Sequence, residues 1–192
     1  MNCNWFKIFL RIIKVRYGSD LTLNGTPIIY SKSGEKLSIG DHVTINSSFL
    51  SNLLGLYQRT IIITRTSDAV VKIGNHVGIS GATIYARRSI VIGDYTLIGA
   101  NTKIMDNDFH PVNPKVRRNT PNEKMGIQPI VIGENVFIGC NCLILKGSRI
   151  GNNSVIGAGS VVSGDIPANC VAAGNPARVI KKLDINEQGA GQ

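Results

Sequence analysis

The chain has 192 residues and a formal net charge of +9, from 21 basic and 12 acidic residues. This length suits one domain, and the sequence contains no uninterrupted apolar run of the roughly 18 residues that a spanning helix needs. The positive charge suits anionic small molecules or an anionic membrane surface. Because the sequence shows no interleaving of aromatic and basic residues and no known reading motif, we expect no nucleic-acid partner.

The first predicted element is a cationic amphipathic helix within residues 1–18. Apolar side chains predominate in residues 4–17, while Lys7, Arg11 and Lys14 fall on one stripe by their spacing. Such a helix can pack across the open end of a β-structure or against a neighbouring subunit. It can equally make peripheral contact with the cytoplasmic face of a membrane. The residues leave both interpretations open.

Large aliphatic residues then recur every six positions. The longest run holds this period without a slip, at Ile132, Ile138, Ile144, Ile150, Ile156 and Val162. Most residues at the fifth place of each hexad are small, and glycine often follows the aliphatic residue. A period of six fits neither a helix nor a plain strand. It suits a chain that makes a short strand, turns a corner and repeats, with its large side chains pointing inward.

The same period predicts an upstream stretch and two interruptions. One phase covers Ile73, Ile79 and Tyr85, and a shift of one residue then leads to Ile92, Ile98 and Ile104. The interruptions are residues 51–60 and a protruding loop at residues 106–129. Long loops in compact domains are often functional. We therefore expect both segments to shape an acceptor pocket, and the second to carry the chemistry.

After the last hexad the structure needs a cap, because an open end exposes unpaired backbone and apolar interior. The sequence predicts a short capping helix that begins near Pro176 and carries Arg178, Lys181 and Lys182. Residues 184–192 are predicted to form a flexible tail. The main domain is therefore expected to span residues 19–183.

Several segments resemble one known family, the hexapeptide-repeat sugar O-acetyltransferases, which include maltose, galactoside, nodulation, capsule and O-antigen acetyltransferases. The similar segments are Ile98–Ile104, Asp108–Pro111, Arg117–Asn119, Pro129–Gly139, Ile156–Val162 and Ala173–Arg178. The resemblance implies an all-β solenoid, a left-handed parallel β-helix, between the two predicted helices. It also implies direct transfer of acetyl from acetyl-CoA to a sugar hydroxyl, without a required metal. The expected setting is cytoplasmic biosynthesis of a cell-surface polysaccharide or lipopolysaccharide.

The chemistry of this transfer needs a base, since an alcohol is a weak nucleophile until its proton is removed. Histidine suits that task because its unperturbed pKa is about 6.5. His110 matches the catalytic His-Pro of the family, and Asn101 matches its Gly-x-Asn motif. Asn101 could orient the acceptor or the imidazole, or it could be a corner residue with left-handed backbone. Asp108 could hold the imidazole tautomer or bind an acceptor hydroxyl, and Arg117 and Arg118 are candidates for substrate binding.

The resemblance implies that CoA lies in a groove between the subunits of a homotrimer. The residues that match positions along the pantetheine arm are small: Gly139, Ala158, Gly159 and Ser163. Arg178 and Lys181 suit the nucleotide phosphates, although they could instead only complement the end of a helix. The developing oxyanion is expected to meet backbone N–H groups, with Gly139 and Cys140 as candidates.

Three alternatives stay open. The acceptor could be an antibiotic, as in the streptogramin-type acetyltransferases, or the chain could be a non-catalytic scaffold. His42, His76 and His110 could hold a metal, as in the hexapeptide-repeat carbonic anhydrases. The cysteines, at positions 3, 140, 142 and 170, lack the paired spacing of a zinc site. We expect free thiols of a reducing compartment, with Cys142 inward and Cys140 outward.

Overall fold

The computed structural model describes residues 4–120 and 123–184. Three sheets run along the molecule, and the chain visits them in turn, so that each coil adds one strand to each sheet. The molecule is therefore a three-sided parallel β-helix, as the repeats predict, and a left-handed one, as the family resemblance implies. We name each corner by the two sheets that it joins, so that the chain passes corner 1–2, corner 2–3 and corner 3–1.

The strands are short, and neighbouring strands pair parallel except for the last pair of sheet 2. Sheet 1 contains β1 (Arg16–Tyr17), β4 (Leu37–Ile39), β7 (Val70–Ile73), β10 (Ser89–Ile92), β13 (Ile130–Ile132), β16 (Arg149–Ile150) and β19 (Asp165–Ile166). Sheet 2 contains β2 (Thr22–Asn24), β5 (Thr44–Asn46), β8 (Gly78–Ser80), β11 (Leu97–Ile98), β14 (Phe137–Ile138), β17 (Val155–Ile156), β20 (Cys170–Gly174) and β21 (Ala177–Lys182). Sheet 3 contains β3 (Ile28–Ser31), β6 (Ile61–Thr64), β9 (Thr83–Ala86), β12 (Lys103–Met105), β15 (Leu143–Ile144) and β18 (Val161–Val162).

The interior is a column of aliphatic side chains. The six residues of the longest hexad run are at most 2% exposed, which confirms their inward orientation. The fifth places are buried as well, and their hydroxyls bond to backbone carbonyls. For example, Ser148 Oγ donates to Leu145 O at 2.7 Å, and Thr102 Oγ1 donates to Gly139 O at 2.9 Å. Because a buried hydroxyl without a partner costs free energy, these bonds explain how serine and threonine fit inside.

The upstream register differs from the prediction at one strand. Ile79 is buried as expected, but Tyr85 is half-buried on the outer face of β9, and its neighbour Ile84 is fully buried instead. The inward residues Ile79 and Ile84 are five positions apart and not six, so the corner before β9 is one residue shorter than in a regular hexad. Gly81 turns it with a φ of 54°, and Ala82 fills the interior. The phase shift therefore precedes Tyr85, and its predicted inward position is wrong.

Helix α1 (Asn4–Ile12) covers the open end of the first coil. Phe6 and Leu10 are 4% and 0% exposed and belong to the same core as the coil interior. The predicted helix over residues 1–18 is too long, because Lys14 turns with a φ of 57° and β1 already pairs with β4. No helix in residues 4–120 and 123–184 is long and apolar enough to cross a membrane.

The predicted C-terminal capping helix is wrong. β20 and β21 instead form an antiparallel hairpin whose turn contains the cis peptide between Asn175 and Pro176. β21 adds a final strand to sheet 2 and carries Arg178 and Lys181 as exposed residues. An edge strand rich in basic residues resists further pairing, so the hairpin serves as the cap. The Asn-Pro pair is a turn signal that the sequence already contained. The described residues end at Asp184, so the rest of the predicted tail, residues 185–192, lies outside them.

Two segments protrude from the coils on either side of sheet 3. Residues 48–59, which we call the insertion, leave corner 2–3 between β5 and β6 and begin with a 3-10 turn at Phe49–Ser51. Residues 106–129, which we call the histidine loop, leave corner 3–1 between β12 and β13 and contain helix α2 (Pro114–Asn119). A second 3-10 turn, at Gly34–Lys36, lies at corner 3–1 between β3 and β4.

Candidate functional site

A cleft of about 380 Å³ lies at corner 2–3, beside β11, β14 and β17. Its floor consists of small corner residues, namely Gly99, Ala100, Gly139, Cys140, Gly157 and Ala158. Phe137 and Val155 form its apolar flank, and Asn52 and Leu54 of the insertion close the other side. A narrow groove with a floor of backbone and small side chains suits a thin, flexible ligand better than a bulky one.

Of the predicted CoA-binding residues, Gly139 and Ala158 line this cleft. A side chain at position 139 would clash, because its Cβ would lie 2.6 Å from the backbone nitrogen of Ala158 in the next coil. Gly159 follows with a φ of 72° and open space beside it. Ser163 is exposed at the far end of β18, at corner 3–1. The structure thus brings three of the small residues together and leaves Ser163 at another edge of the same chain.

His110 is an exposed residue of the histidine loop. Its backbone N–H donates to the carbonyl of Asp108 at 2.7 Å, which makes a tight turn. The preceding residue, Phe109, packs on Tyr85 with ring centroids 4.9 Å apart. Since Tyr85 lies on the outer face of β9, this contact folds the start of the loop back onto sheet 3.

Asp108 forms an ion pair with Lys146, with Oδ1 and Nζ 3.0 Å apart and side chains 25% and 30% exposed. Lys146 follows β15 in the next coil, so the pair ties the histidine loop to the rod. The backbone N–H of Asp108 also donates to Gly126 O at 3.0 Å. The carboxylate therefore already has a cationic partner. If it also bound His110 or an acceptor hydroxyl, it would do so while paired with Lys146.

The two candidate arginines differ in their surroundings. Arg117 donates from Nη1 to the carbonyls of Pro111 and Val112, at 3.0 and 3.1 Å. It therefore holds the chain that directly follows His110. Arg118 is exposed on the same helix.

Asn101 is a corner residue with left-handed backbone, at a φ of 63°, and is 5% exposed. Its Nδ2 donates to Gly55 O at 2.9 Å, and its Oδ1 accepts the N–H of Tyr57 at 3.3 Å. Both ends of the amide thus hold the insertion. The prediction that Asn101 orients the acceptor or the imidazole stays a prediction.

Sequence reasoning did not single out Tyr57 and Lys103. Lys103 Nζ lies 5.4 Å from the ring centroid of Tyr57 and 3.4 Å from its hydroxyl oxygen. The sequence places Tyr57 in the interruption of the repeats and Lys103 on the outer face, beside the inward Ile104. The position of each residue could therefore be predicted. Their contact joins residues of different coils, which no spacing along the chain reveals.

The three histidines do not converge. His42 and His76 stack at corner 1–2 with ring centroids 4.8 Å apart, and His76 stacks on Tyr95 at 4.6 Å. His110 lies in the loop at corner 3–1. The spacing of His42 and His76 reflects equivalent corners of successive coils, and the described ranges hold no group of three side chains able to bind a metal. Within the described residues of one chain these histidines therefore form no metal site.

The described cysteines are free thiols, as expected. Cys142 is buried, and Cys140 is half-buried in the cleft, which confirms their opposite orientations. Burial raises the pKa of the Cys142 thiol, so this group is neutral in the folded chain. The backbone N–H of Gly139 is already bonded to Ile156 O at 2.8 Å. The N–H of Cys140 has no hydrogen-bond partner within the described chain, which leaves it as the available donor of the pair.

Residues 129–164 match the family described as bacterial transferase hexapeptide (six repeats). The chain is 46% identical over 106 residues to the galactoside O-acetyltransferase of Escherichia coli K12, an alignment that covers 55% of this chain and 50% of the relative. It is 41% identical over 101 residues to WbbJ of the same strain, a protein named for O-acetyl transfer in lipopolysaccharide biosynthesis. That alignment covers 50% of this chain and 52% of WbbJ. A solved galactoside acetyltransferase in complex with coenzyme A superposes with a TM-score of 0.57 and 29% identity, over 96% of this chain and 74% of that chain.

These comparisons confirm the resemblance to the hexapeptide-repeat sugar acetyltransferases. The family match coincides with the stretch in which the six-residue period runs without a slip. The chain spans about half the length of the curated relatives that it matches.

Proposed function

We propose that this hexapeptide-repeat chain is an acetyl-CoA-dependent O-acetyltransferase that transfers acetyl to a hydroxyl of a sugar. The observation that carries the proposal is the cleft at corner 2–3, whose floor is formed by Gly139, Cys140 and Ala158. The family resemblance implies that Gly139 and Ala158 belong to the donor site. They lie on a fold that the chain shares, over 96% of its length, with a galactoside acetyltransferase solved with coenzyme A.

The reaction is a direct transfer. Acetyl-CoA supplies an acyl group that is already activated as a thioester. His110 accepts the proton of the sugar hydroxyl while the oxygen bonds to the acetyl carbon, and it returns that proton to the departing sulfur. The N–H of Cys140 faces no competing acceptor in the described chain, and it is suited to stabilise the negative charge on the carbonyl oxygen. Asp108 and Arg117, which hold the histidine loop, would position the base.

Two copies would supply each site. The cleft lies at corner 2–3, whereas the histidine loop leaves corner 3–1. Sheet 3 separates these edges, and its strands of two to four residues span about 7–13 Å. A homotrimer in which corner 2–3 of one copy faces corner 3–1 of the next would bring His110 to the cleft. Ser163 lies at the same edge as His110, so this arrangement would also join it to Gly139 and Ala158.

The proposed acceptor is a saccharide unit of a cell-surface polysaccharide or lipopolysaccharide. Arg118 offers an exposed guanidinium on the histidine loop, and the chain as a whole carries a net charge of +9. Both favour an acidic or phosphate-bearing acceptor. The similarity to a protein named for O-acetyl transfer in lipopolysaccharide biosynthesis supports the same class.

We also propose peripheral contact of α1 with the inner face of the cytoplasmic membrane. The side of the helix opposite its buried face exposes Trp5, Ile8 and Ile12, at 61%, 60% and 72%. Lys7 and Arg11 lie between the two apolar faces. An exposed apolar stripe beside basic residues suits an anionic membrane surface, which would place the enzyme near a lipid-linked acceptor.

The test is turnover of acetyl-CoA with a panel of saccharides and streptogramin antibiotics as acceptors. The wild-type chain is expected to acetylate a saccharide. His110→Ala should lower kcat by about 10²- to 10⁴-fold while the Kd for CoA stays unchanged. A His110→Ala variant with full activity would show that the mechanism is wrong, and turnover with the antibiotics alone would move the function to xenobiotic acetylation.

A further inference from the structure

The insertion does not project away from the rod but runs along corner 2–3 toward its C-terminal end. It leaves the second coil, and Gln58 Nε2 donates to Gly81 O in the third coil at 2.9 Å. Tyr57 bonds to Asn101 in the fourth coil, and its hydroxyl lies 3.5 Å from Asn141 Oδ1 in the fifth. Since coils are spaced by about 4.8 Å, the insertion crosses three coils along the edge of the rod.

The end of this path is the cleft. Asn52 and Leu54 line it together with Gly139, Cys140 and Ala158. Leu54 is 68% exposed, and the adjacent Leu53 is 89% exposed but does not line the cleft. Without the insertion the groove at corner 2–3 would be open on that side. The insertion therefore gives the groove its second wall.

We propose that the insertion is the outer wall of the acetyl-CoA site, with Leu54 packing on the pantetheine arm and Asn101 acting as a positioning residue. This inference rests on the proposed function. Leu54 presents an aliphatic side chain over a floor of glycine and alanine, which suits the slender, partly apolar arm of the donor. Asn101 holds the two backbone groups that follow, Gly55 O and Tyr57 N–H. Loss of its amide would release the wall without removing any group that touches the donor.

The experiment measures the Kd for CoA by titration calorimetry in four variants of the full chain. Leu54→Ala should raise this Kd by about 5- to 30-fold, because it removes apolar contact area from the ligand. Leu53→Ala, the matched control, should bind CoA as the wild type does. Asn101→Gly keeps the left-handed backbone without strain and should also weaken binding. In a double-mutant cycle, Asn101→Gly should add little to Leu54→Ala, because both act through the same wall.

Kinetics separates the positioning role of Asn101 from a role in the chemical step. For Asn101→Gly the loss should fall on KM for acetyl-CoA rather than on kcat. A loss confined to kcat would overturn the positioning role, and unchanged CoA binding by Leu54→Ala would overturn the wall. If Leu53→Ala and Leu54→Ala weaken self-association alike in sedimentation, the insertion is a subunit contact instead. Failure of the wild type itself to bind CoA would overturn the proposed function, an outcome distinct from equal binding by wild type and Leu54→Ala.

Discussion

The carboxylate of Asp106 accepts a hydrogen bond from the backbone N–H of Arg88 at 2.6 Å. It also accepts the N–H groups of Arg87 and Ser89, at 2.8 and 2.9 Å, and it is fully buried. Its own carbonyl accepts the N–H of Gln128 at 3.0 Å. Asp106 thus accepts the backbone N–H groups of the corner between β9 and β10, and it joins the two ends of the histidine loop. These bonds fix where the loop leaves the rod.

We expect Asp106→Ala to lower the free energy of unfolding by about 3 kcal/mol, because it leaves three partly buried N–H groups without an acceptor. Asp106→Asn should cost less, since its amide keeps one acceptor oxygen. Urea denaturation measures the loss, and hydrogen exchange at residues 87–89 should show faster exchange in both variants. A cost for Asp106→Ala no larger than that of an exposed substitution, within about 0.5 kcal/mol, would contradict this account.

The inward-facing residues of the rod could be predicted from sequence, because the size of the side chain decides which residues fit there. Residues such as Ile132 and Ile156 recur at one fixed distance, and only large aliphatic side chains fill those places. The outward orientation of Tyr85 could not be predicted, because the corner at Gly81, which has left-handed backbone, is one residue shorter than the others. The C-terminal hairpin was missed for a related reason: Pro176 fits both the start of a helix and a turn.

The candidate site was predictable in part. His110 stood out because a long loop interrupts a strict repeat, and Gly139 and Ala158 stood out through their motifs. The contacts of the insertion were not predictable, because Asn101 meets Gly55 and Tyr57 across coils that are far apart in sequence. Hydrogen bonds between distant segments depend on how many residues each corner contains, and one shorter corner changes every later pairing.

The stacked corner of His42, His76 and Tyr95 leads to a prediction on side-chain choice. His76 has a φ of 56°, a conformation that asparagine tolerates and β-branched residues resist. In later coils the same corner carries asparagines, and Asn153 Nδ2 donates to Asn169 Oδ1 at 2.8 Å. We expect His76→Asn to cost about 1 kcal/mol or less through lost stacking. His76→Val should cost about 1–2 kcal/mol more. Urea denaturation at pH 8 would compare the two, and equal stability would contradict the argument.

Cysteine labelling should distinguish the two thiols near the cleft. Burial raises the pKa of Cys142 and shields its sulfur, which lies 3.2 Å from Gly157 O. Iodoacetamide at pH 8 should therefore alkylate Cys140 and leave Cys142 unmodified in the native chain. Coenzyme A at saturating concentration should slow the alkylation of Cys140, because Cys140 lines the proposed donor cleft. Mass spectrometry reads both sites, and modification of Cys140 at an unchanged rate with CoA would argue against the cleft as the donor site.

Asp41 should make stability depend on acid pH. The backbone N–H and hydroxyl of Ser19 donate to its carboxylate, at 2.6 and 2.9 Å, and lower its pKa, with smaller contributions from His42 and His76. A carboxyl whose folded pKa is depressed binds fewer protons when folded, so its stabilisation is present above its unfolded value of about 3.9. That stabilisation is lost as the pH falls through the lower folded pKa.

We therefore expect the urea midpoint of the wild type to fall between about pH 5 and pH 2 more steeply than that of Asp41→Asn. The asparagine keeps an acceptor oxygen for Ser19 but cannot titrate. Ser19→Ala removes only the hydroxyl bond, so its acid dependence should lie between the other two. Parallel pH profiles for the wild type and Asp41→Asn would show that this carboxylate contributes nothing to acid unfolding.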